Sequence, residues 1–138
     1  MKIVIDANLI IASYWNRKSN SYKILNNVLK DKCDLYYTEK IRDEIFYILD
    51  NIKAKKPFIN KVKILFKKAN KVTPDKKINL IRDDPDDNKY LECAHKVNAQ
   101  FIISNDRHLL EVRKYNQTNI VKPSIFLKKL EKNKKGGG

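Results

Sequence analysis

Glycine and cysteine are scarce in this 138-residue chain, which has three glycines and two cysteines. Cys33 and Cys93 have no metal-ligand spacing and make no disulfide framework, so they are interpreted as buried thiols in a reducing, cytoplasmic compartment. The three glycines all stand at the end, as Gly136–Gly138. We interpret residues 134–138 as a flexible tail that follows a single domain over residues 1–133.

Long apolar runs are also missing. The longest, at residues 9–12, is far too short to span a bilayer, so no membrane association is expected. The chain opens directly into the strand-like segment KIVID, without the charged and apolar regions of a signal peptide. Aromatic residues make up 9% of the chain and few of them alternate with lysines. That scarcity favours contacts to a nucleic-acid backbone over base stacking.

Positive charge is abundant: 30 lysines and arginines against 16 acids give a formal net charge of +14. Ten lysines and one acid, Asp75, lie in residues 51–77, and six more lysines lie in residues 122–135. Clustered lysine of this kind is typical of a polyanion binder, most often of nucleic acid. A generally lysine-rich proteome would give the same excess, so charge alone leaves both explanations open.

The order of apolar patterns predicts the fold. Strands are predicted at residues 2–5, 34–38, 78–81, 99–104 and 118–121. Helices are predicted at residues 9–14, 21–30, 38–52, 87–98 and 107–112, with two more begun by Pro57 and Pro123. The apolar strands are continuous and alternate with helices, which indicates an α/β fold: a three-layer α/β/α sandwich with a central, mainly parallel sheet.

Two aspartates are predicted at the carboxyl ends of strands, where open parallel sheets bind ligands. Asp6 directly follows the strand at residues 2–5, and Asp106 follows the clearest strand, at residues 99–104. Each could instead be the N-cap of the next helix, and one carboxylate could do both jobs.

Further acids occupy unusual helical positions. Glu44 lies at the edge of an apolar stripe, where an acid is unfavourable unless it is metal-bound or paired, for example with a lysine. The segment RDDPDDNKY places four acids within residues 83–87. Asp87 shares the spacing of Leu91 and Ala94 and is predicted to point inward. Asp86 is predicted to be a helix cap, and the other two acids, before Pro85, are assigned to a turn.

Four acids are thus expected to face one end of the sheet: Asp6, Glu44, Asp87 and Asp106. Converging carboxylates raise one another's pKa unless a cation neutralises them. Oxygen ligands select hard ions such as Mg²⁺ or Mn²⁺, which can support phosphodiester hydrolysis. The sequence therefore predicts a metal site surrounded by lysines that hold a nucleic-acid backbone.

The motifs MKIVIDANLIIAS, RDEIFYIL, DPDDNKYLECAHKVNAQFIISNDRHLL and VKPSIFLKKL, in this order, make the chain resemble the PIN domain. It looks most similar to the bacterial and archaeal PIN proteins that act as toxins of toxin–antitoxin pairs. The resemblance implies that the same four acids are metal ligands and catalytic residues. It also implies supporting positions for Asn8, Ser104, His108 and Asp84. His108 stands where many PIN nucleases carry a further acid, and Asn105 stands where glycine is frequent.

The activity implied by the resemblance is a Mg²⁺- or Mn²⁺-dependent endoribonuclease, with RNA, a cognate antitoxin and a second copy of the chain as partners. Two alternatives stay open: a nuclease that matures ribosomal or transfer RNA, and a PIN-like RNA-binding module with weak or lost catalysis.

Overall fold

The computed structural model describes the backbone of residues 1–136 and the side chains of residues 1–133; residues 137–138 of the predicted tail lie outside the described part. Within the described residues, six strands form one sheet in the order β3-β2-β1-β4-β6-β5. They are β1 (Lys2–Ile5), β2 (Asp34–Tyr37), β3 (Asn70–Lys71), β4 (Phe101–Ile103), β5 (Lys114–Tyr115) and β6 (Thr118–Val121). Neighbouring strands are parallel except β5, which pairs antiparallel with β6.

In the part of the chain that the structure describes, seven α-helices flank the sheet: α1 (Ala7–Trp15), α2 (Asn20–Leu29), α3 (Glu39–Asn51), α4 (Lys56–Lys68), α5 (Asn88–Val97), α6 (Arg107–Val112) and α7 (Pro123–Gly136). The predicted α/β fold with a mainly parallel sheet is confirmed. The core lies around the central strands: Ile3 and Val4 of β1 and Ile102 and Ile103 of β4 are fully buried. None of the helices in the described part combines the length and apolar character that a membrane crossing requires.

The predicted strand at residues 78–81 is wrong. That segment is a loop, and β3 occupies the sheet edge instead. The loop pairs its backbone with side chains of α5. Asn88 accepts from the Ile81 N–H and donates to the Ile81 carbonyl, both at 2.9 Å, while Glu92 accepts from the Ile78 N–H. These bonds satisfy the extended backbone as a neighbouring strand would, and they fix the loop that leads into the acidic segment.

Glycine is absent from residues 1–135, so other residues take the left-handed backbone positions. Asp31, Lys53, Asn98, Arg113 and Asn116 have positive φ. Asn98 ends α5 in the left-handed conformation, and Asn116 lies in the turn between β5 and β6. Asn105 is not among them, so the turn after β4 does not require the glycine that is frequent in PIN domains at this position.

Candidate active site

The site begins where β1 and β4 end side by side. The two strands pair with Ile5 opposite Ile103, and the Asp6 N–H extends the ladder to the Ile103 carbonyl at 3.0 Å. Each strand then leads into a helix capped by an aspartate. Asp6 Oδ1 accepts from the Asn8 N–H at 3.0 Å, and Asp106 Oδ1 accepts from the His108 N–H at 2.8 Å. Capping therefore uses Oδ1 of each aspartate and leaves further lone pairs for other contacts.

Ser104 joins these two turns. Its hydroxyl donates to Asp6 Oδ2 at 2.7 Å and accepts from the Asp106 N–H at 2.9 Å. The residue is fully buried. The relative position of the two aspartates is thus held by one side chain, which gives Ser104 the supporting position that the resemblance implies.

Four side chains place potential metal-ligand atoms close to one another. One ligand atom from each of Asp84, Asp87, Asp106 and His108 lies within 4.8 Å of the other three. His108 Nδ1 is 3.5 Å from Asp106 Oδ1. We refer to these four residues as the acidic cluster. Two of its members, Asp84 and His108, were predicted only as supporting positions, through the resemblance to the PIN domain.

Asp87 is the deepest carboxylate of the acidic cluster. It is 7% exposed, and among the described residues no donor reaches its buried Oδ2. Burial, a hydrogen bond with the Asp106 carboxyl and the charges of Asp106, Asp84 and Asp6 raise the pKa of Asp87 to about 8. Burial alone would raise the pKa of Asp106 as well, but hydrogen bonds from Asp87 and from the His108 N–H lower it. The pair therefore holds a proton on Asp87 while Asp106 carries the charge.

Asp6 lies close enough to the acidic cluster for its charge to contribute to the raised pKa of Asp87. Its own carboxylate is buried and bonded to Asn8 and Ser104. The contact from Asn8 comes from the backbone, and the Asn8 side chain is exposed. The structure thus assembles Asp6, Asp87 and Asp106 at one end of the sheet, as the sequence predicts.

Glu44 is engaged elsewhere. It forms an ion pair with Lys89, whose side chain is only 3% exposed and also pairs with Asp86. Burial would lower the pKa of Lys89, but hydrogen bonds to Asp86 and Glu44 and the charges of these acids raise it. The structure therefore realises the lysine salt bridge that was the alternative for Glu44 in the sequence. The predicted cap at Asp86 is wrong: its carboxylate binds Lys89 and lies 3.7 Å from Lys40 Nζ instead.

Two functional candidates were not identified in the sequence, Lys89 and Tyr90. Tyr90 is buried, and its hydroxyl accepts from the Ala7 N–H at 3.1 Å, directly after Asp6. Burial first, and then the charge of Asp6, raise the pKa of Tyr90, which keeps the phenol protonated. A lysine and a tyrosine at the second and third positions after an inward-pointing acid, in the sequence DDNKY, are the signal that could have indicated both.

Two grooves on the surface differ in whether a member of the acidic cluster lines them. A groove of about 530 Å³ is lined by Leu80–Asp83 of the loop before the cluster and by His108, Glu111, Val112 and Lys114. A larger one, of about 840 Å³, lies between α2 and α7 and includes no member of the cluster. We give more weight to the smaller groove, because of these two only it is lined by a member of the acidic cluster, His108.

The chemistry of the acidic cluster fits a hard divalent cation. Three carboxylates and an imidazole provide oxygen and nitrogen donors, and the buried Asp87 Oδ2 has no hydrogen-bond donor among the described residues. A cation would neutralise carboxylates that otherwise repel one another. Asp84, Asp87, Asp106 and His108 would hold it, with Asp6 adjacent.

A mainly parallel α/β sheet with converging acids at its carboxyl edge defines a class of proteins that includes metal-dependent hydrolases. Comparison with known proteins narrows this class. Residues 2–108 match the PIN domain family. The chain belongs to the PIN domain family, which implies nuclease activity in general.

Two individual proteins show the extent of the similarity. The chain is 30% identical to an uncharacterised protein of Methanocaldococcus jannaschii over 146 aligned residues, which cover 96% of this chain and 93% of that protein. It also superposes on a chain of the crystal structure of VapBC2 from Rickettsia felis bound to a promoter DNA fragment. The TM-score is 0.63 at 13% identity, with 88% of this chain and 98% of that chain covered. At this identity, the second similarity establishes the fold alone.

Proposed function

We propose that this chain is a metal-dependent endoribonuclease that hydrolyses RNA phosphodiester bonds. The observation that carries the proposal is the acidic cluster around the buried Asp87 Oδ2, which no donor reaches within the described part of the chain, in a protein with a net charge of +14. A basic surface attracts the RNA backbone, and the acidic cluster provides a place where a cation can be held against it.

Each group at the site has a distinct part in this proposal. A bound Mg²⁺ or Mn²⁺ would supply activation of a water and neutralisation of charge on the phosphate. Asp84, Asp87, Asp106 and His108 hold the cation. Ser104 fixes the position of Asp6 relative to Asp106. Lys89 holds Glu44 outside the cluster, so we assign Glu44 a weaker contribution than the sequence predicts.

The biological role that we propose is that of a toxin in a toxin–antitoxin pair. Membership in the PIN domain family and the similarity of the fold to a chain of the VapBC2 complex support this role. The proposal includes an antitoxin protein as partner, a homodimer as assembly and the cytoplasm as location. Co-purification of the chain with the product of an adjacent gene, followed by loss of toxicity on co-expression, tests the role separately from the chemistry.

The chemistry is tested by incubating total cellular RNA with the protein and sequencing the new 5′ ends. Cleavage is expected with Mg²⁺ or Mn²⁺ and is expected to cease with chelator or with Asp87→Asn. Asp43→Asn is the matched control, because Asp43 is an exposed acid of α3 that belongs neither to the acidic cluster nor to the groove beside it. Equal cleavage by wild type and Asp87→Asn would rule out the proposed site.

A second function, RNA binding with weak catalysis, is favoured by one observation: Glu44 is bound to Lys89 and is not part of the acidic cluster. Calorimetric titration with Mn²⁺ separates the two. Absence of binding at millimolar metal would favour the binding module over the nuclease.

A further inference from the structure

An exposed aromatic patch lies at the end of α1. Trp15, the only tryptophan of the chain, is 69% exposed. Its ring centroid is 4.7 Å from that of Tyr14, which in turn lies 4.8 Å from the ring of Phe58 on α4. The Tyr14 hydroxyl accepts from the Lys55 N–H at 3.2 Å, which attaches the end of α1 to the beginning of α4. Tyr14 and Phe58 are half-buried, whereas the Trp15 ring beside Tyr14 is exposed to solvent.

The segments that form this patch carry positive charge and no negative charge. Residues 7–30 and residues 51–74 contain no aspartate or glutamate. Arg17 and Lys18 follow the tryptophan after one residue, Asn16. Lys55 is the N-cap of α4 and Lys56 its first residue; all four cations are exposed. An exposed indole among cations is the combination with which proteins bind single-stranded nucleic acid, because bases stack on the ring while cations contact the phosphates.

The patch is connected to the acidic end of the sheet through α1. This helix begins directly after Asp6 and ends at Trp15, a span of about 12 Å along its axis. A single-stranded nucleic acid whose backbone reaches the acids can therefore extend along α1 to the indole. The rarity of aromatics in the sequence favoured backbone contacts alone; the exposure of this one ring adds a stacking contact.

We propose that Trp15 stacks on a base of single-stranded RNA while Arg17, Lys18, Lys55 and Lys56 contact its backbone. The inference rests on the proposed function, since it names the form of RNA that the site receives. It selects an unpaired strand over a duplex, because the bases of a duplex are already stacked on each other and leave no free face for the indole.

The experiment uses the full chain carrying Asp87→Asn, in the presence of chelator, so that binding is measured without cleavage. The probe is a short single-stranded oligoadenylate. Because the chain has one tryptophan, its fluorescence reports the patch directly. We expect saturable quenching by the single strand and little by the same strand annealed to its complement. Absence of quenching at saturating RNA would overturn the proposal.

Variants identify the contact. Trp15→Ala is expected to raise the Kd, measured by anisotropy of labelled RNA, roughly 5- to 150-fold, and Trp15→Phe less. The control is Tyr47→Ala, which removes another aromatic residue, 68% exposed on α3 and flanked by Asp43 and Asp50, and should leave the Kd unchanged. Trp15→Ala should also keep the slope of log Kd against log salt, whereas Lys55→Gln lowers it by about 0.7.

Two further outcomes would overturn the proposal. One is equal RNA affinity of Trp15→Ala and Tyr47→Ala. The other is dissociation of a dimer by Trp15→Ala in sedimentation with unchanged RNA binding, which would make the patch a protein contact. The result is separable from the proposed function. Stacking without cleavage by the wild type would contradict only the nuclease activity, and metal-dependent cleavage without stacking would contradict only this inference.

Discussion

Ser104 Oγ donates a hydrogen bond to Asp6 Oδ2 at 2.7 Å, across the carboxyl ends of two neighbouring parallel strands. The same oxygen accepts from the Asp106 N–H. A single buried hydroxyl therefore links the turn after β1 to the turn after β4. It also connects the two capping aspartates, Asp6 before α1 and Asp106 before α6.

Replacing this hydroxyl should affect stability and cleavage together. Ser104→Ala leaves Asp6 Oδ2 buried without its donor, which costs about 1–3 kcal/mol of unfolding free energy. We expect a corresponding loss of stability in urea denaturation and a lower cleavage rate. Ser13→Ala is the control, because Ser13 is equally buried but donates to the Ile10 carbonyl within α1. Equal effects of the two substitutions would contradict a special role for Ser104.

The raised pKa of Asp87 predicts how stability depends on pH without metal. The native state keeps a proton on Asp87 up to a pKa of about 8, whereas the unfolded chain releases it near about 4. The native state therefore binds more protons in this interval, so the free energy of unfolding falls as pH rises from about 4 to about 8.

Asp87→Asn removes this dependence. The variant should be more stable than wild type by about 1–3 kcal/mol at pH 9 and equally stable at pH 4, as measured by urea denaturation with chelator present. Asp83→Asn should keep the wild-type pH profile. If Asp87→Asn kept the wild-type dependence of stability on pH, that dependence would arise from groups other than Asp87.

Metal binding should offset the loss of stability that a charged Asp87 causes. Mn²⁺ at a hundred times its Kd is expected to stabilise the wild type by about 2.7 kcal/mol, with a matching rise in Tm. Asp87→Asn should show a much smaller rise, because it lacks the deepest ligand. Asp43→Asn, an exposed acid of α3, serves as the control and should respond like wild type. An equal rise in all three proteins would place the metal outside the acidic cluster.

The ion pair of Lys89 and Glu44 predicts a double-mutant effect. Lys89→Met keeps most of the side-chain volume but leaves Glu44 and Asp86 without their shared cation, which should cost about 1–3 kcal/mol. Adding Glu44→Gln should recover part of the loss, because no buried charge is then unpaired. Lys40→Met removes the exposed partner of Asp86 and should change stability by less than about 0.5 kcal/mol. Additive effects of the two changes would show that they do not interact.

Cleavage should also rank the acids. Glu44→Gln is expected to reduce cleavage less than Asp87→Asn, since Glu44 is bound to Lys89 and lies outside the acidic cluster. Single-turnover rates on one labelled RNA give the comparison, with Asp43→Asn as control. An equal or larger loss in Glu44→Gln would return Glu44 to the catalytic role that the sequence predicts for it.

Much of the fold was predictable because its signals are local. The continuous apolar run of β1, the capping threonine before α3 and the prolines that begin α4 and α7 depend on neighbouring residues only. The failed prediction at residues 78–81 has the opposite cause. Its apolar letters suit a strand, but Asn88 and Glu92 of α5 satisfy its backbone in a loop. Short β3 and β5 carry too few residues for a pattern.

By itself, the sequence determined the α/β class, the order of the longer strands and helices, and the positions of Asp6, Asp87 and Asp106. The end of a strand and the inward face of a helix follow from spacing along the chain. Tertiary structure alone decided which side chains meet. It placed Lys89 against Glu44, Ser104 between two aspartates 98 and 2 residues away, and the ring of Trp15 in solvent. Each of these depends on the packing of distant elements against one another, and the spacing of residues within a single element carries no record of it.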